Sequence, residues 1–296
     1  MFSELAAIDE HFPWFFATVS FVFGTIVGSF LNVCIYRIPT EKSIISPGSR
    51  CSCGKPIAWY DNIPILSWFV LRGKARCCGR PFSFRYPFVE ILTGALFLLC
   101  WVLFPPSKAI CGWVFMSILI CSTYIDLDHM IIPDRFTIGA AAVGLLLSFI
   151  FPALHGQSGD LIVVDNLRSL ILAAIGLLIG SATVLWIALF SEIVLRKETM
   201  GFGDVKFLGA IGAFTGWEGS LFAIFGGAIL GTAGLVVFLL IRPFLKKRPD
   251  DDSGLFGRVV PFGPMLAAGG LLYFLFLHEP VDAYFTENAR MLFGEG

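Results

Sequence analysis

Long apolar runs dominate the chain, and short polar segments between them carry most of its charge. A run of about 20 apolar residues lets a helix cross the roughly 30 Å hydrocarbon core of a bilayer. The pattern therefore predicts an all-α integral membrane protein with about eight transmembrane helices. The predicted spans are roughly 14–35, 86–104, 109–125, 135–151, 168–190, 204–217, 219–241 and 259–278. The sixth is short and glycine-rich, so we expect other helices to shield it.

The segments between the runs predict three parts. These are a first transmembrane helix (1–35), a small Cys-containing loop domain (36–85) and a transmembrane core (86–296). Near the end of the core, the tract KKRPDDDSG at 246–254 changes the sign of its charge and then gives Ser and Gly. That composition predicts a flexible connection between the last two spans.

Composition agrees with the membrane assignment. The chain is 56% hydrophobic and 15% charged, and its mean hydropathy is +0.81. Soluble domains carry about 25% charged residues. The formal net charge of -1 gives no reason to expect a nucleic acid or another polyanion as a partner.

The distribution of Lys and Arg predicts the orientation. If the loop 36–85 is cytoplasmic, every basic residue except Lys108, Arg168 and Arg290 falls on the cytoplasmic side. Cytoplasmic loops carry an excess of Lys and Arg. We therefore expect both termini on the outer face and the loop facing the cytoplasm and its anionic lipid headgroups. The first span has no Lys or Arg before it, unlike a cleavable signal peptide, and is expected to be retained.

Two aspartates stand out at predicted span ends. Asp126, in YIDLDHMIIPDRF (124–136), ends the third span, and Asp204, in TMGFGDVKF (199–207), opens the sixth. Under the predicted topology both lie at one depth on the cytoplasmic side, so packing can bring them together. An intramembrane acid is by default a functional candidate. Two close carboxylates hold one proton between them and can hydrolyse a peptide bond by acid–base catalysis. The absence of side chains at Gly201 and Gly203 would let an extended substrate backbone, or a partner helix, approach closely.

Neighbouring charged residues have simpler interpretations. Asp134 follows Pro133 and is typical of a helix cap, and Asp128 lies beside His129 in what we expect to be a wetted turn. We favour Asp126 over Asp128 for catalysis because apolar sequence directly precedes it. Lys206 most simply extends its ammonium to the membrane surface.

Four cysteines of the loop form two similar turns. Cys51 and Cys53 precede Gly-Lys-Pro, and Cys77 and Cys78 precede Gly-Arg-Pro. Two such pairs resemble a zinc ribbon with four thiolate ligands. Free thiols and, less readily in the cytoplasm, disulfides remain alternatives. The other four cysteines lie in apolar spans and are interpreted as small core residues: Cys34, Cys100, Cys111 and Cys121.

Taken together, the motifs resemble the type IV prepilin peptidases, membrane aspartic proteases of the GxGD type. The resemblance covers nearly the whole chain and rests on five segments: GSFLNVCIYRIP (28–39), WYDNIPILSWFVLRGKARCCGRPFSFRYPFVE (59–90), IDLDHMIIPD (125–134), GFGDVK (201–206) and VPFGP (260–264). One departure is that the family usually has two C-x-x-C pairs. Here the first pair is one residue short, and Ala75 holds the place of an outer cysteine.

The resemblance implies an activity and a location. Such enzymes lie in the bacterial inner membrane and cleave a basic leader from prepilins and type II secretion pseudopilins. Larger members also N-methylate the new N-terminus with S-adenosylmethionine. Carried over by motif, the catalytic pair is Asp126 and Asp204, and zinc falls on the loop cysteines. Acids such as Asp128 or Glu90 are expected to offset repulsion between a basic leader and the basic loop.

Two other function classes are compatible with some of these features. Transporters also use intramembrane acids, but their sites lie near the bilayer midplane, often between inverted repeats. A scaffold that docks a secretion partner on the cysteine loop would not need either aspartate. Loss of ion flux in Asp204→Asn would favour the transporter, and function unchanged in both Asp variants would favour the scaffold.

Overall fold

The computed structural model describes residues 11–159, 161–196, 200–241 and 261–293. The predicted link at 246–254 lies outside these residues. The described chain is mainly helical, with α1 (Pro13–Arg37), α2 (Leu66–Val70), α3 (Arg85–Leu103), α4 (Pro106–His129), α5 (Ile138–Ile150), α6 (Ile162–Leu195), α7 (Phe202–Ile241), α8 (Gly263–Leu272) and α9 (His278–Phe293). Two short 3₁₀ helices, Trp59–Asn62 and Pro152–His155, and a π-helical turn, Tyr273–Leu277, complete it.

The all-α membrane class predicted from the sequence is confirmed. Within the described ranges, six helical segments are long and apolar enough to cross a bilayer, and α5 is a shorter apolar helix. All eight predicted runs overlap described helices. The first five overlap α1, α3, α4, α5 and α6 in turn, 204–217 and 219–241 both lie in α7, and 259–278 covers α8 and the π-helical turn. The count of eight crossings stays a prediction.

Helix α7 is interrupted at Gly216, where φ is 75° and ψ is -177°. A Cβ on Gly180 of α6 would lie 2.8 Å from the Leu208 carbonyl oxygen and 3.0 Å from Ser220 Oγ. In a straight helix Leu208 and Ser220 would be about 18 Å apart along the axis. The chain therefore folds back at Gly216, where a positive φ favours glycine, and the two predicted spans are separate helices.

Close packing divides the chain into two compact units. One comprises Met1–Ile125 and Leu146–Leu170, and the other comprises Asp126–Leu145 and Ile171–Gly296. These two units do not coincide with the three parts predicted from the sequence. The three parts were based on the apolar runs, and they stay a prediction.

In the first unit, α1 packs closely against α3 through glycines. A Cβ on Gly24 would lie 2.8 Å from the Cα of Gly94, and a Cβ on Gly28 would lie 2.8 Å from the Cα of Glu90. Small residues let helix backbones approach in this way inside a membrane. This contact fixes the α3 turn that carries Glu90.

In the second unit, α8 packs against the second half of α7. A Cβ on Gly227 would lie 2.6 Å from the Met265 carbonyl oxygen, and one on Gly269 would lie 2.6 Å from that of Ala223. Substitution at either glycine would push the two helices apart. The same packing fixes the start of α8, which contributes to the candidate site.

Candidate active site

Asp126 lies in the last turn of α4 and only 6% of its surface is exposed. Ile125 before it is fully buried, whereas Asp128 is exposed. Burial changes between these neighbouring residues because one side of the helix end faces the protein and the other side faces outward. Of the two acids in this turn, Asp126 is therefore the one held inside the second unit.

The buried Asp126 carboxylate is bound by the start of α8. Its Oδ2 accepts a hydrogen bond of 3.1 Å from the backbone N–H of Gly263. A Cβ on Gly263 would lie 2.6 Å from this oxygen and 2.9 Å from Ile132 Cδ1, so any larger residue would force one or both side chains to move. Sequence reasoning assigned no role to Gly263. The available signal was the Gly-Pro pair at 263–264, since proline is common in the first turn of a helix.

Asp204 lies in the first turn of α7, where a carboxylate complements the helix dipole. It is half-buried, and its backbone N–H donates to the Gly201 carbonyl oxygen at 3.0 Å. Its carboxylate is close enough to that of Asp126 for the two to interact electrostatically. The structure thus brings together the two acids singled out in the sequence, one from the end of α4 and one from the start of α7.

The glycines beside Asp204 each have room for a Cβ. A Cβ on Gly201 would find its nearest neighbour, Asp204 Oδ2, at 3.7 Å, and a Cβ on Gly203 would find Ile132 Cβ at 3.7 Å. Both are ordinary van der Waals distances, and neither glycine has a positive φ. Packing in this structure therefore does not require glycine at either position, unlike at Gly263. This weakens the interpretation that glycine is needed at 201 and 203 for the close approach of a partner helix.

An ion pair links the two segments that carry the acids. Lys206 Nζ donates to Asp134 Oδ1 at 2.7 Å, and the Thr137 hydroxyl donates to the same oxygen at 3.4 Å. The Lys206 ammonium holds the pKa of the Asp134 carboxyl below its usual value. The extension of Lys206 to the membrane surface stays a prediction, and the structure adds that its ammonium has an exposed protein partner, Asp134.

The four loop cysteines meet in the first unit. Their Sγ atoms lie within 4.8 Å of one another, with Cys51 to Cys78 at 3.6 Å and Cys53 to Cys77 at 3.4 Å. Sulfur atoms bound tetrahedrally to one zinc, with Zn–S near 2.3 Å, are about 3.8 Å apart. The four thiols therefore fit a zinc ion, which they would hold as a tetrathiolate.

Local turns bring the cysteines together despite their short spacing. Gly54 and Gly79 have φ values of 88° and 67°. Each glycine follows a cysteine pair and closes a turn with its backbone N–H. Gly54 donates to the Cys51 carbonyl oxygen at 2.8 Å, and Gly79 donates to the Ala75 carbonyl oxygen at 2.8 Å. The backbone N–H of Cys53, helped by the Cys77 thiol, lowers the pKa of Cys51 to about 6, whereas the facing Cys51 and Cys53 thiols raise the pKa of Cys77 to about 12. A thiolate is the form that binds metal.

Comparisons with known proteins show the family of the chain. Residues 22–104 match the Bacterial Peptidase A24 N-terminal domain, and residues 113–236 match the Type IV leader peptidase family. A prepilin leader peptidase/N-methyltransferase of Pectobacterium carotovorum is 33% identical over 90% of this chain and 96% of its own length. The chain belongs to the type IV leader peptidase family. No solved structure matches it.

Other relatives extend the same match. A prepilin leader peptidase/N-methyltransferase of Myxococcus xanthus is 35% identical over 84% of this chain and 72% of its own length. One of Aeromonas hydrophila is 31% identical over 95% of this chain and 98% of its own length. The N-terminal family domain contains the whole cysteine loop, and the leader peptidase domain contains both Asp126 and Asp204. This leader peptidase family member is accordingly a multi-pass membrane enzyme of a protease family.

Glu90 connects the loop to α3. It is 8% exposed, and its Oε2 accepts a hydrogen bond of 2.7 Å from the backbone N–H of Ile65. Of the two acids suggested to offset the charge of a leader, Asp128 is the exposed one. That role stays a prediction for both.

Proposed function

We propose that the protein cleaves the basic leader from type IV prepilins or type II secretion pseudopilins, with Asp126 and Asp204 as its catalytic acids. The observation that supports the proposal is the electrostatic interaction between these two carboxylates, one at the end of α4 and one at the start of α7, inside a chain of the leader peptidase family. Two exposed carboxylates would turn away from each other into water. Here burial and the Gly263 N–H hold Asp126 in place.

The chemistry follows from a shared proton. Two close carboxylates repel when both are ionised, so the pair holds one proton. The ionised carboxylate accepts a proton from water, and the water oxygen attacks the scissile carbonyl carbon. The protonated carboxyl donates to the carbonyl oxygen. Collapse of the tetrahedral intermediate breaks the C–N bond, the amine leaves with a proton from the pair, and one water is consumed for each bond cleaved.

The free space beside Gly201 and Gly203 supports their role in admitting the substrate. An extended backbone lying over these two glycines would meet no side chain at positions 201 and 203 themselves, so its scissile carbonyl could reach the acids. We place the site at the cytoplasmic face of the inner membrane, with both termini outside, because most Lys and Arg then lie on the cytoplasmic side.

The same chain is proposed to methylate its product. The relatives carry N-methyltransferase in their names. In this reaction the new N-terminal amine attacks the methyl group of S-adenosylmethionine and releases S-adenosylhomocysteine and a proton. The cysteine cluster would support this activity by holding the loop in one conformation around a zinc ion, which supplies a structural crosslink.

The test is reconstitution of the purified protein with a prepilin that retains its leader, followed by mass spectrometry. We expect wild type to remove the leader and to add one methyl mass when S-adenosylmethionine is present. Asp204→Ala should do neither with intact prepilin. If well-folded wild type cleaves none of several pilin-like substrates, the proposal is wrong and the scaffold alternative gains support.

A further inference from the structure

The loop domain carries an apolar helix face that no other part of the described chain covers. In α2, Leu66 is 60% exposed, Phe69 is 54% exposed and Val70 is 72% exposed. These positions are spaced i, i+3 and i+4 and therefore share one face of the helix. An exposed patch of this kind marks contact with a membrane or a partner.

The opposite side of α2 is packed, which fixes the direction of the apolar face. Trp68 Nε1 donates to the Phe82 carbonyl oxygen at 3.3 Å, and its ring lies edge-on to Phe84 with centroids 5.2 Å apart. A Cβ on Gly73 would lie 3.2 Å from the same indole. Trp68 thus packs against the rest of this domain and also lies edge-on to Phe69 of its own helix, with ring centroids 5.2 Å apart. Leu66, Phe69 and Val70 nevertheless stay more than half exposed.

Two aromatic residues next to α2 have the chemistry of a membrane interface. Trp59 is 80% exposed and Tyr60 is 50% exposed, with ring centroids 5.7 Å apart. Trp and Tyr are enriched at the headgroup level, where their apolar rings and polar groups are both satisfied.

The charge of the same domain favours an anionic surface. Between 36 and 85 there are nine basic residues and two acids. One acid, Asp61, is held by the Arg76 guanidinium through bonds of 2.8–3.0 Å. Basic segments next to membrane spans are attracted to anionic lipid headgroups. A basic prepilin leader would be repelled by the same surface.

A hydrogen bond fixes the depth of α2. Ile65, immediately before α2, donates its N–H to Glu90 Oε2 at 2.7 Å. Glu90 lies in the second turn of α3, roughly 7.5 Å along the helix axis from Arg85, where this membrane helix begins. The start of α2 is therefore held level with the end of a membrane span rather than out in the aqueous phase.

We infer that α2, with Trp59 and Tyr60, is an interfacial anchor that inserts Leu66, Phe69 and Val70 into the anionic cytoplasmic leaflet. This inference rests on the orientation given under the proposed function. The anchor holds the cysteine cluster against the membrane surface, and the bond between Ile65 and Glu90 sets its depth.

The inference is tested by photocrosslinking in the full-length protein. Val70 is replaced by p-benzoylphenylalanine, and the protein is placed in nanodiscs of phosphatidylcholine with about 30 mol% phosphatidylglycerol. Lys55, an exposed polar position of the same loop domain, receives the same replacement as a matched control. After irradiation, mass spectrometry measures lipid adducts, with and without a prepilin. Cleavage of the prepilin is measured on the same samples.

We expect about fivefold more lipid adducts at position 70 than at position 55, with the yield falling in pure phosphatidylcholine. Equal adducts at both positions, or adducts to prepilin instead of lipid at position 70, would overturn the inference. Active cleavage without lipid adducts would reject the anchor and leave the peptidase proposal standing. Lipid adducts in a protein that cleaves nothing would support the anchor and reject the peptidase proposal.

Discussion

The acid pair and the cysteine cluster both join residues that are far apart in the chain, but they are built in different ways. Asp126 and Asp204 come from the ends of long helices, and their approach depends on tight contacts such as that at Gly263. The cysteines are exposed or half-exposed and lie in short turns closed by backbone hydrogen bonds. A site built from packed helices tolerates little added volume, whereas turns can absorb a changed spacing.

The test with the largest expected effect removes one charge from the acid pair. Asp126→Asn and Asp204→Asn are each expected to lower prepilin cleavage by more than about 10³-fold, because neither amide can exchange the proton that the pair shares. Cleavage is measured by mass spectrometry in proteoliposomes. Asp128→Asn, the exposed neighbour, is the matched control and should stay within about threefold of wild type. Substantial cleavage by either Asn variant at Asp126 or Asp204 would contradict the proposed chemistry.

The second test adds one methyl group beside Asp126. Gly263→Ala places a Cβ 2.6 Å from Asp126 Oδ2, so the carboxylate must move. We expect kcat to fall by about 100-fold, the effect of displacing a catalytic group by about 1 Å. The control is Gly139→Ala, where the nearest atom would be 3.8 Å away. Similar activities for the two variants would show that the approach to Asp126 is not critical.

Gly263 also shows where prediction from sequence ends. The helices, the two separate spans 204–217 and 219–241 and the candidate acids could be predicted, because hydrophobic runs and intramembrane charges are local signals. The donor to Asp126 could not, because it is a backbone N–H brought in by the packing of α8. The ion pair between Lys206 and Asp134 was missed for the same reason: each residue alone fits a simpler role.

The cysteine spacing was difficult for a related reason. Spacing alone left zinc, free thiols and disulfides open, because C-x-C and C-C pairs are less usual zinc ligands. The structure shows turns at Gly54 and Gly79 that direct all four sulfurs to one point. The backbone conformation, which residue counting does not specify, makes up for the altered spacing.

A third test adds a methyl group where the structure leaves space. Gly203→Ala should fold normally, since the nearest neighbour of the new Cβ is at 3.7 Å. If the space admits substrate, KM for prepilin should rise about 30-fold with a smaller change in kcat, because the substrate backbone is held away. Thermal unfolding of the variant should match wild type. An unchanged KM would mean that Gly203 does not border the bound substrate.

A fourth test removes one ligand from the cysteine cluster. Cys51→Ser is expected to abolish zinc binding, measured by elemental analysis, and to lower methylation about tenfold. Cleavage should fall by less than about threefold, because the acids are held by helix packing rather than by the loop. Cys100→Ala removes a thiol from the fully buried interior of the first unit and should leave the zinc content unchanged. Equal losses of cleavage and methylation would contradict the independence of the two sites.

The smallest expected effect concerns the ion pair beside the acids. Lys206→Met leaves Asp134 without its ammonium partner, but Asp134 is 65% exposed in its side chain, so we expect cleavage to fall only about threefold. Because Lys206 lowers the pKa of Asp134, the pair persists at neutral pH and is lost only as the pH falls through that lowered value. Asp134→Asn should match Lys206→Met, and exchanging the two charges should restore activity. A much larger loss in Lys206→Met than in Asp134→Asn would show that Lys206 acts on the substrate or on Asp204 directly.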